Sequence, residues 1–170
     1  CIGDDVPTVV NPEYFAEAFD AVQRLVKEGI VMAGHDISAG GLITTLLEMC
    51  FATTTGGLEI DLNNVVETDI VKLLFAENPA LVIQVADKDK CRMQQILDEA
   101  GICFVKIGVP CEKRHIAVAK DKRTRLFDIE HYRDVWFDSS YLMDLKQSFN
   151  GCASERLKNY KNQPLRFRMP

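Results

Sequence analysis

The sequence predicts an α+β fold in which helices are layered on a mixed sheet. Three observations predict it. Stretches with the 3.6-residue period of amphipathic helices alternate with short β-branched runs. The run 80–85 is apolar throughout, as a strand covered on both faces would be. The segment 30–52 reads as a strand, a glycine-rich turn and a helix entering the core.

At 170 residues the chain suits one domain with a sizeable core. A hydrophobic content of 47% and a charged content of 26% are ordinary for a globular protein. The formal charge of −5 and a pI near 5.2 exclude a basic footprint for nucleic acid or an anionic membrane. No apolar run approaches the ~18 residues of a membrane span, and no signal-peptide pattern is present. The chain opens at Cys1 without methionine, as a segment of a longer polypeptide would. Its six cysteines are widely spaced and form no CxxC pair, which excludes the usual zinc and redox motifs. Cys50 and Cys103 lie in apolar runs and are expected to be buried, and free thiols of this kind fit a reducing cytoplasm.

In chain order, Gly3, Asp4, Asp5 and Pro7 break regular structure over residues 1–10. Asn11-Pro12 is a helix start, with Asn as cap and Pro at the first helical position. Phe15, Phe19, Val22, Leu25 and Val26 then recur at helical spacing, and Gly29 closes the helix. A strand over 30–33, the glycine-rich turn and a helix over 42–52 follow. The alternating residues 58–62 predict a half-buried strand. A short helix over 68–75 is expected, with Thr68 as its cap, Asp69 in its first turn and Ile70, Leu73 and Leu74 facing inward. Glu77-Asn78-Pro79 ends that helix, and the run 80–85 is the candidate central strand.

An amphipathic helix is expected over 88–100, its stripe formed by Cys91, Met93, Ile96, Leu97 and Ala100. Strands are expected over 103–107 and 115–119, joined by 108–114, with a short edge strand over 125–128. The β-α-β-β order of 80–119 resembles half of a ferredoxin-like unit. Two helices, 129–136 and 139–149, come next. From Asn150 the chain is polar and basic, with Arg156, Lys158, Lys161, Arg166 and Arg168, and carries prolines at 164 and 170. The expected organisation is therefore a domain over 1–149 and a linker or arm over 150–170.

Only one stretch looks chemical rather than architectural: Gly34-His35-Asp36-Ile37-Ser38-Ala39-Gly40-Gly41-Leu42. A glycine-rich turn opening a helix presents backbone N–H groups where an anion or phosphate is favoured. Asp36 can hold Mg²⁺, which neutralises nucleotide phosphates, or can simply cap the next turn. Ser38 can donate to a phosphate oxygen or cap the helix. His35 is either a base or a hydrogen-bonded structural residue. Gly40 and Gly41 admit either a ligand or a closely packed helix. Glu77 is either brought to the sheet end near Asp36 or left as a solvated acid of a turn.

The stretch from Ala33 to Ala52, followed by Gly56-Gly57-Leu58-Glu59-Ile60, resembles the His-Asp-x-Ser-x-Gly-Gly-Leu signature of the phosphoribosylformylglycinamidine synthase family, in its last synthetase-like domain. Phe75-Ala76-Glu77 is similar to the family's Phe-x-Glu element. Trp136, Ser140 and Met143 match a Trp-x-x-x-Ser-x-x-Met helix that leads toward a glutaminase domain. The resemblance covers nearly the whole chain in the right order.

It implies a fold like the C-terminal domain of aminoimidazole ribonucleotide synthetase. It further implies membership of a cytoplasmic ATP-dependent C–N ligase of purine biosynthesis, coupled to a glutamine amidotransferase. That ligase converts formylglycinamide ribonucleotide, ATP and glutamine into formylglycinamidine ribonucleotide, ADP, phosphate and glutamate. Within it, this domain would help form an auxiliary Mg²⁺–ATP/ADP site, with Asp36 as metal ligand and Ser38 as nucleotide contact. The remaining ligands would come from neighbouring domains of the same polypeptide, and no catalytic residue is assigned here, cysteines included. Many relatives carry an acid after the serine, where this chain has Ala39. Two other readings share the sequence: another ATP-dependent enzyme of the same superfamily, or a non-catalytic docking or regulatory domain whose glycines serve packing alone.

Overall fold

A computed structural model describes residues 9–149 and 151–162. The breakers at 3–7, Asn150 and the tail residues from 163 onward, including Arg166 and Arg168, lie outside the described residues. The fold is α+β with open sheets, and the chain divides into two compact units. One comprises residues up to 49 together with 63–107; the other comprises 50–62 and the residues from 108 onward.

In the first unit, α1 (Pro12–Lys27) begins as its sequence dictates. Asn11 accepts from the Tyr14 N–H at 2.9 Å and Pro12 occupies the first turn. Two backbone bonds close its end, Gly29 N–H to Val26 and Ile30 N–H to Leu25. The chain then enters β1 (Val31–Ile37), which pairs antiparallel with β3 (Ala80–Val85) and places His35 opposite Val82 and Asp36 opposite Leu81. Between these strands lie α2 (Gly41–Phe51) and α3 (Ile70–Phe75). The cap of α3 is Asp69, which accepts from Val71 N–H, and not Thr68. Of its apolar residues Leu74 is buried and Ile70 and Leu73 are half-buried. After β3, a 3₁₀ turn (Asp87–Asp89) leads into α4 (Lys90–Glu99).

The core of this unit joins Ala21, Leu25 and Ile30 to Ile96 and Leu97. Each buried branched side chain contributes roughly 1.5–3 kcal/mol. Around the core, Arg24 pairs with Glu99 and Arg92 with Glu28. These are exposed pairs, which steer the α1–α4 register more than they stabilise it.

In the second unit the strand order is β4 (Gly108–Cys111), β2 (Gly57–Asp61), β5 (His115–Lys120), β6 (Arg123–Asp128). β2 runs antiparallel to β4 and parallel to β5, so the sheet is mixed. The β5–β6 hairpin turns through Asp121 and Lys122, both at positive φ, the backbone of a tight primed turn. Asp128 caps α5 (Ile129–Gln147), and α6 (Cys152–Asn159) folds back along it. There Tyr160 stacks on Phe137 at 4.0 Å and Arg156 pairs with Asp144. Its buried apolar residues include Ile60, Leu62, Ile116, Val118, Ile129 and Ala153.

Several expectations are corrected. β1 extends to Ile37 rather than ending at residue 33, because the β3 ladder continues past Gly34. The run 80–85 is not central: among the described residues its one partner is β1, and Leu81 is 50% exposed. Residues 103–107 form no strand, because Ile102 turns into the α1–α4 core and Cys103 N–H donates to the Tyr14 hydroxyl. The strand lies instead at 108–111, within the expected connection. With β3 in one sheet and β4 and β5 in another, 80–119 is no ferredoxin-like half. Cys50 is buried, but Cys91 and Cys103 are exposed, so neither belongs to a core stripe. Residues 129–147 form one helix rather than two, and the stretch read as an arm carries α6.

Candidate functional site

The chemically promising segment is a strand, a turn and a helix: β1 delivers His35 and Asp36, Ser38 to Gly40 turn, and α2 starts at Gly41. His35 and Asp36 therefore lie on the strand itself, with only Ser38 beyond it. Two bonds clamp strand to helix. The buried Thr45 hydroxyl donates to the Asp36 carbonyl at 3.0 Å, and the Gly41 N–H donates to the Ser38 carbonyl at 3.0 Å. Each ring nitrogen of His35 faces an oxygen. Nδ1 is 2.8 Å from the Asp36 carbonyl, and Nε2 is 3.2 Å from the Glu48 carboxylate.

The anion favoured at this helix start is already part of the chain. Glu77, from the segment between α3 and β3, accepts the Gly40 N–H at 2.8 Å. α2 has no acid in its own first turn, so a carboxylate from 37 residues away supplies the negative charge that complements the helix dipole. The second glycine is used for packing. Gly41 has φ +72°, and a Cβ there would stand 2.7 Å from the Leu74 carbonyl oxygen and from the backbone of Phe75. The space that Gly41 opens is thus occupied by α3.

Asp36 and Ser38 remain outward. The Asp36 side chain is 68% exposed, one oxygen 3.5 Å from His35 Nδ1, and Ser38 is exposed. Among the described residues no three His, Cys, Asp or Glu side chains are arranged to hold a metal. Mg²⁺ commonly takes one or two protein carboxylates and completes its octahedron with water and phosphate. One open carboxylate therefore fits a share of a Mg²⁺ site, with the rest of the shell supplied from elsewhere. Sequence reasoning missed Thr45 and Glu48. A signal was available for Glu48, which is the sole charge in α2.

The description "AIR synthase related protein, C-terminal domain" matches residues 2–121, well over half of the chain. The chain belongs to that family. Similar curated relatives include the human phosphoribosylformylglycinamidine synthase, 30% identical over 166 residues and covering 95% of this chain. An Arabidopsis thaliana protein, a probable phosphoribosylformylglycinamidine synthase of chloroplast or mitochondrion, is 32% identical over 162 residues and covers 94%. The chain spans only 12% and 11% of those relatives. Solved structures share the fold of this AIR synthase related domain. T. maritima PurL complexed with ATP gives a TM-score of 0.65 at 16% identity, over 75% of this chain and 23% of that one. T. maritima PurL complexed with FGAR gives 0.62 at 20%, over 77% and 23%. Among the described residues no helix is long and apolar enough to cross a membrane.

Proposed function

We propose that this chain is a segment of a long phosphoribosylformylglycinamidine synthase and contributes part of an auxiliary Mg²⁺–nucleotide site to it. The observation that carries the reading is the identity of 30% and 32% to two such synthases over 95% and 94% of the chain. The complete polypeptide would convert formylglycinamide ribonucleotide, ATP and glutamine into formylglycinamidine ribonucleotide, ADP, phosphate and glutamate. In it ATP activates the formamide oxygen, and ammonia from a glutaminase domain displaces phosphate.

In this reading Asp36 supplies one carboxylate to Mg²⁺ and Ser38 contacts the nucleotide, while other synthetase domains supply the remaining ligands. Glu77, Thr45 and the His35–Glu48 pair hold the strand–turn–helix on which Asp36 and Ser38 sit. The metal's chemistry here is charge neutralisation of phosphates. The enzyme would act in the cytoplasm; the free cysteines among the described residues fit a reducing compartment.

The test uses the long polypeptide that carries this chain. Purified, and supplied with formylglycinamide ribonucleotide, Mg-ATP and glutamine, it should release ADP and glutamate in equal amounts. ADP formation that ignores both glutamine and the formyl substrate would overturn the reading.

A further inference from the structure

Glu48 is a charge on a helix that otherwise carries none. Its side chain is only 26% exposed, and a carboxylate withdrawn from water to that extent is costly unless a partner answers it. His35 answers it, with Nε2 3.2 Å from the carboxylate. The other nitrogen of the same ring, Nδ1, lies 2.8 Å from the Asp36 carbonyl oxygen and 3.5 Å from the Asp36 carboxylate. Three residues before Glu48 on α2, Thr45 donates its hydroxyl to that same carbonyl at 3.0 Å. The Asp36 peptide is thus gripped twice, by α2 directly and by α2 through the His35 ring.

This grip bears on what Asp36 can do. Its side chain is 68% exposed, so its direction is set by its own backbone and by the ring beside it. Mg²⁺ demands near-ideal octahedral geometry of its ligands. Groups that orient a ligand without touching the metal are worth about 10–100-fold in metal affinity. A Thr45 hydroxyl alone would pin the carbonyl and leave the carboxylate side free. The ring faces both oxygens of Asp36, and Glu48 is what holds the ring.

We propose that Glu48 is a positioning residue for Asp36, acting through the His35 ring to aim the Asp36 carboxylate at Mg²⁺. The inference rests on the reading of Asp36 as a Mg²⁺ ligand. A Glu48 that only tied α2 to β1 would change the melting temperature and leave the Mg²⁺ requirement where it was.

The test uses the long polypeptide, stripped with EDTA and dialysed against saturating ADP and graded Mg²⁺. Nucleotide retained after desalting is counted per chain, and the portion lost in Asp36→Ala reports this site. Glu48→Ala should raise the Mg²⁺ concentration for half-retention by about tenfold. Glu48→Gln keeps an oxygen facing the ring and should restore most of the affinity. On a His35→Ala background, Glu48→Ala should shift the midpoint no further, because the path between them is already cut. Gly29→Ala, strained away from the turn, should melt earlier with the wild-type midpoint. Should Glu48→Ala not fold, Glu48→Asp, one methylene too short to reach the ring, takes its place with the same expectation. An unchanged midpoint in the Glu48 variant overturns the proposal, as does a tenfold shift that persists without His35. Either result beside a normal loss in Asp36→Ala leaves the Mg²⁺ reading standing. Retention that Asp36→Ala does not alter removes that reading and the proposal together.

Discussion

Gly41→Ala is expected to lower stability by about 3 kcal/mol, the sum of ~1–2 for a side chain in left-handed backbone and ~1–3 for forcing atoms into a packed contact. Gly41 sits at φ +72°, and its added Cβ would meet three backbone atoms of Leu74 and Phe75 at 2.7 Å. Backbone cannot rotate out of the way as a side chain does. Either α2 or α3 must move, and with it the Gly40 N–H that Glu77 holds. Gly29→Ala is the control: φ is +69° but nothing lies within 4 Å, so only the conformational cost of roughly 1 kcal/mol remains. Thermal unfolding should separate the two, with Gly41→Ala melting about 6–12 °C lower than the parent. Equal melting points for the two variants would show that α3 does not pack against the turn.

Arg114→Ala should cost about 3 kcal/mol in the second unit, chiefly by removing the guanidinium donor from the Thr53 and Gly56 carbonyls. The guanidinium donates to the carbonyls of Cys50, Thr53 and Gly56 at 3.1, 2.6 and 3.1 Å, and to Glu130 at 2.8 Å. Cys50 lies in the last turn of α2, whose final carbonyls have no partner within the helix, and Thr53 lies two residues past its end. The Glu130 carboxylate is 40% exposed and is also held by Arg133, so its share of the cost is small. Arg114→Lys should recover less than half, since one ammonium cannot serve carbonyls on several sides. Urea unfolding decides it: a loss under about 1 kcal/mol for the alanine variant would mean that water replaces the guanidinium.

What the sequence disclosed follows the range of the forces involved. Asn11-Pro12, the alternation at 58–62 and the stripe ending at Ala100 act within a turn or two, and α1, β2 and α4 form where those signals stand. The length of β1 was not legible, because Gly34, His35 and Asp36 are held extended by pairing with β3 nearly fifty residues away. The stretch 103–107 has strand-like composition, yet the Tyr14 hydroxyl takes the Cys103 N–H and no ladder forms. Of the site, Asp36 and Ser38 could be singled out as candidates from the glycine pattern, and the structure leaves both exposed. Glu77 was open to two placements, at the sheet end or in solvent, and since nothing local links it to Gly40 only the fold decides between them.

The measurement that most directly tests the proposed Mg²⁺–nucleotide role counts nucleotide retained by the long polypeptide, with and without Asp36→Ala. Each protein is desalted, unfolded, and its released adenine nucleotide quantified against protein. Asp36 faces outward and makes no core contact, so the variant should remain folded. The expected result is wild-type protein carrying close to one ADP per chain and the variant carrying little, with a lower melting temperature that added Mg-ADP fails to restore. Equal nucleotide content and equal melting temperatures would contradict the account and reduce the glycine turn to a packing device closed by Glu77.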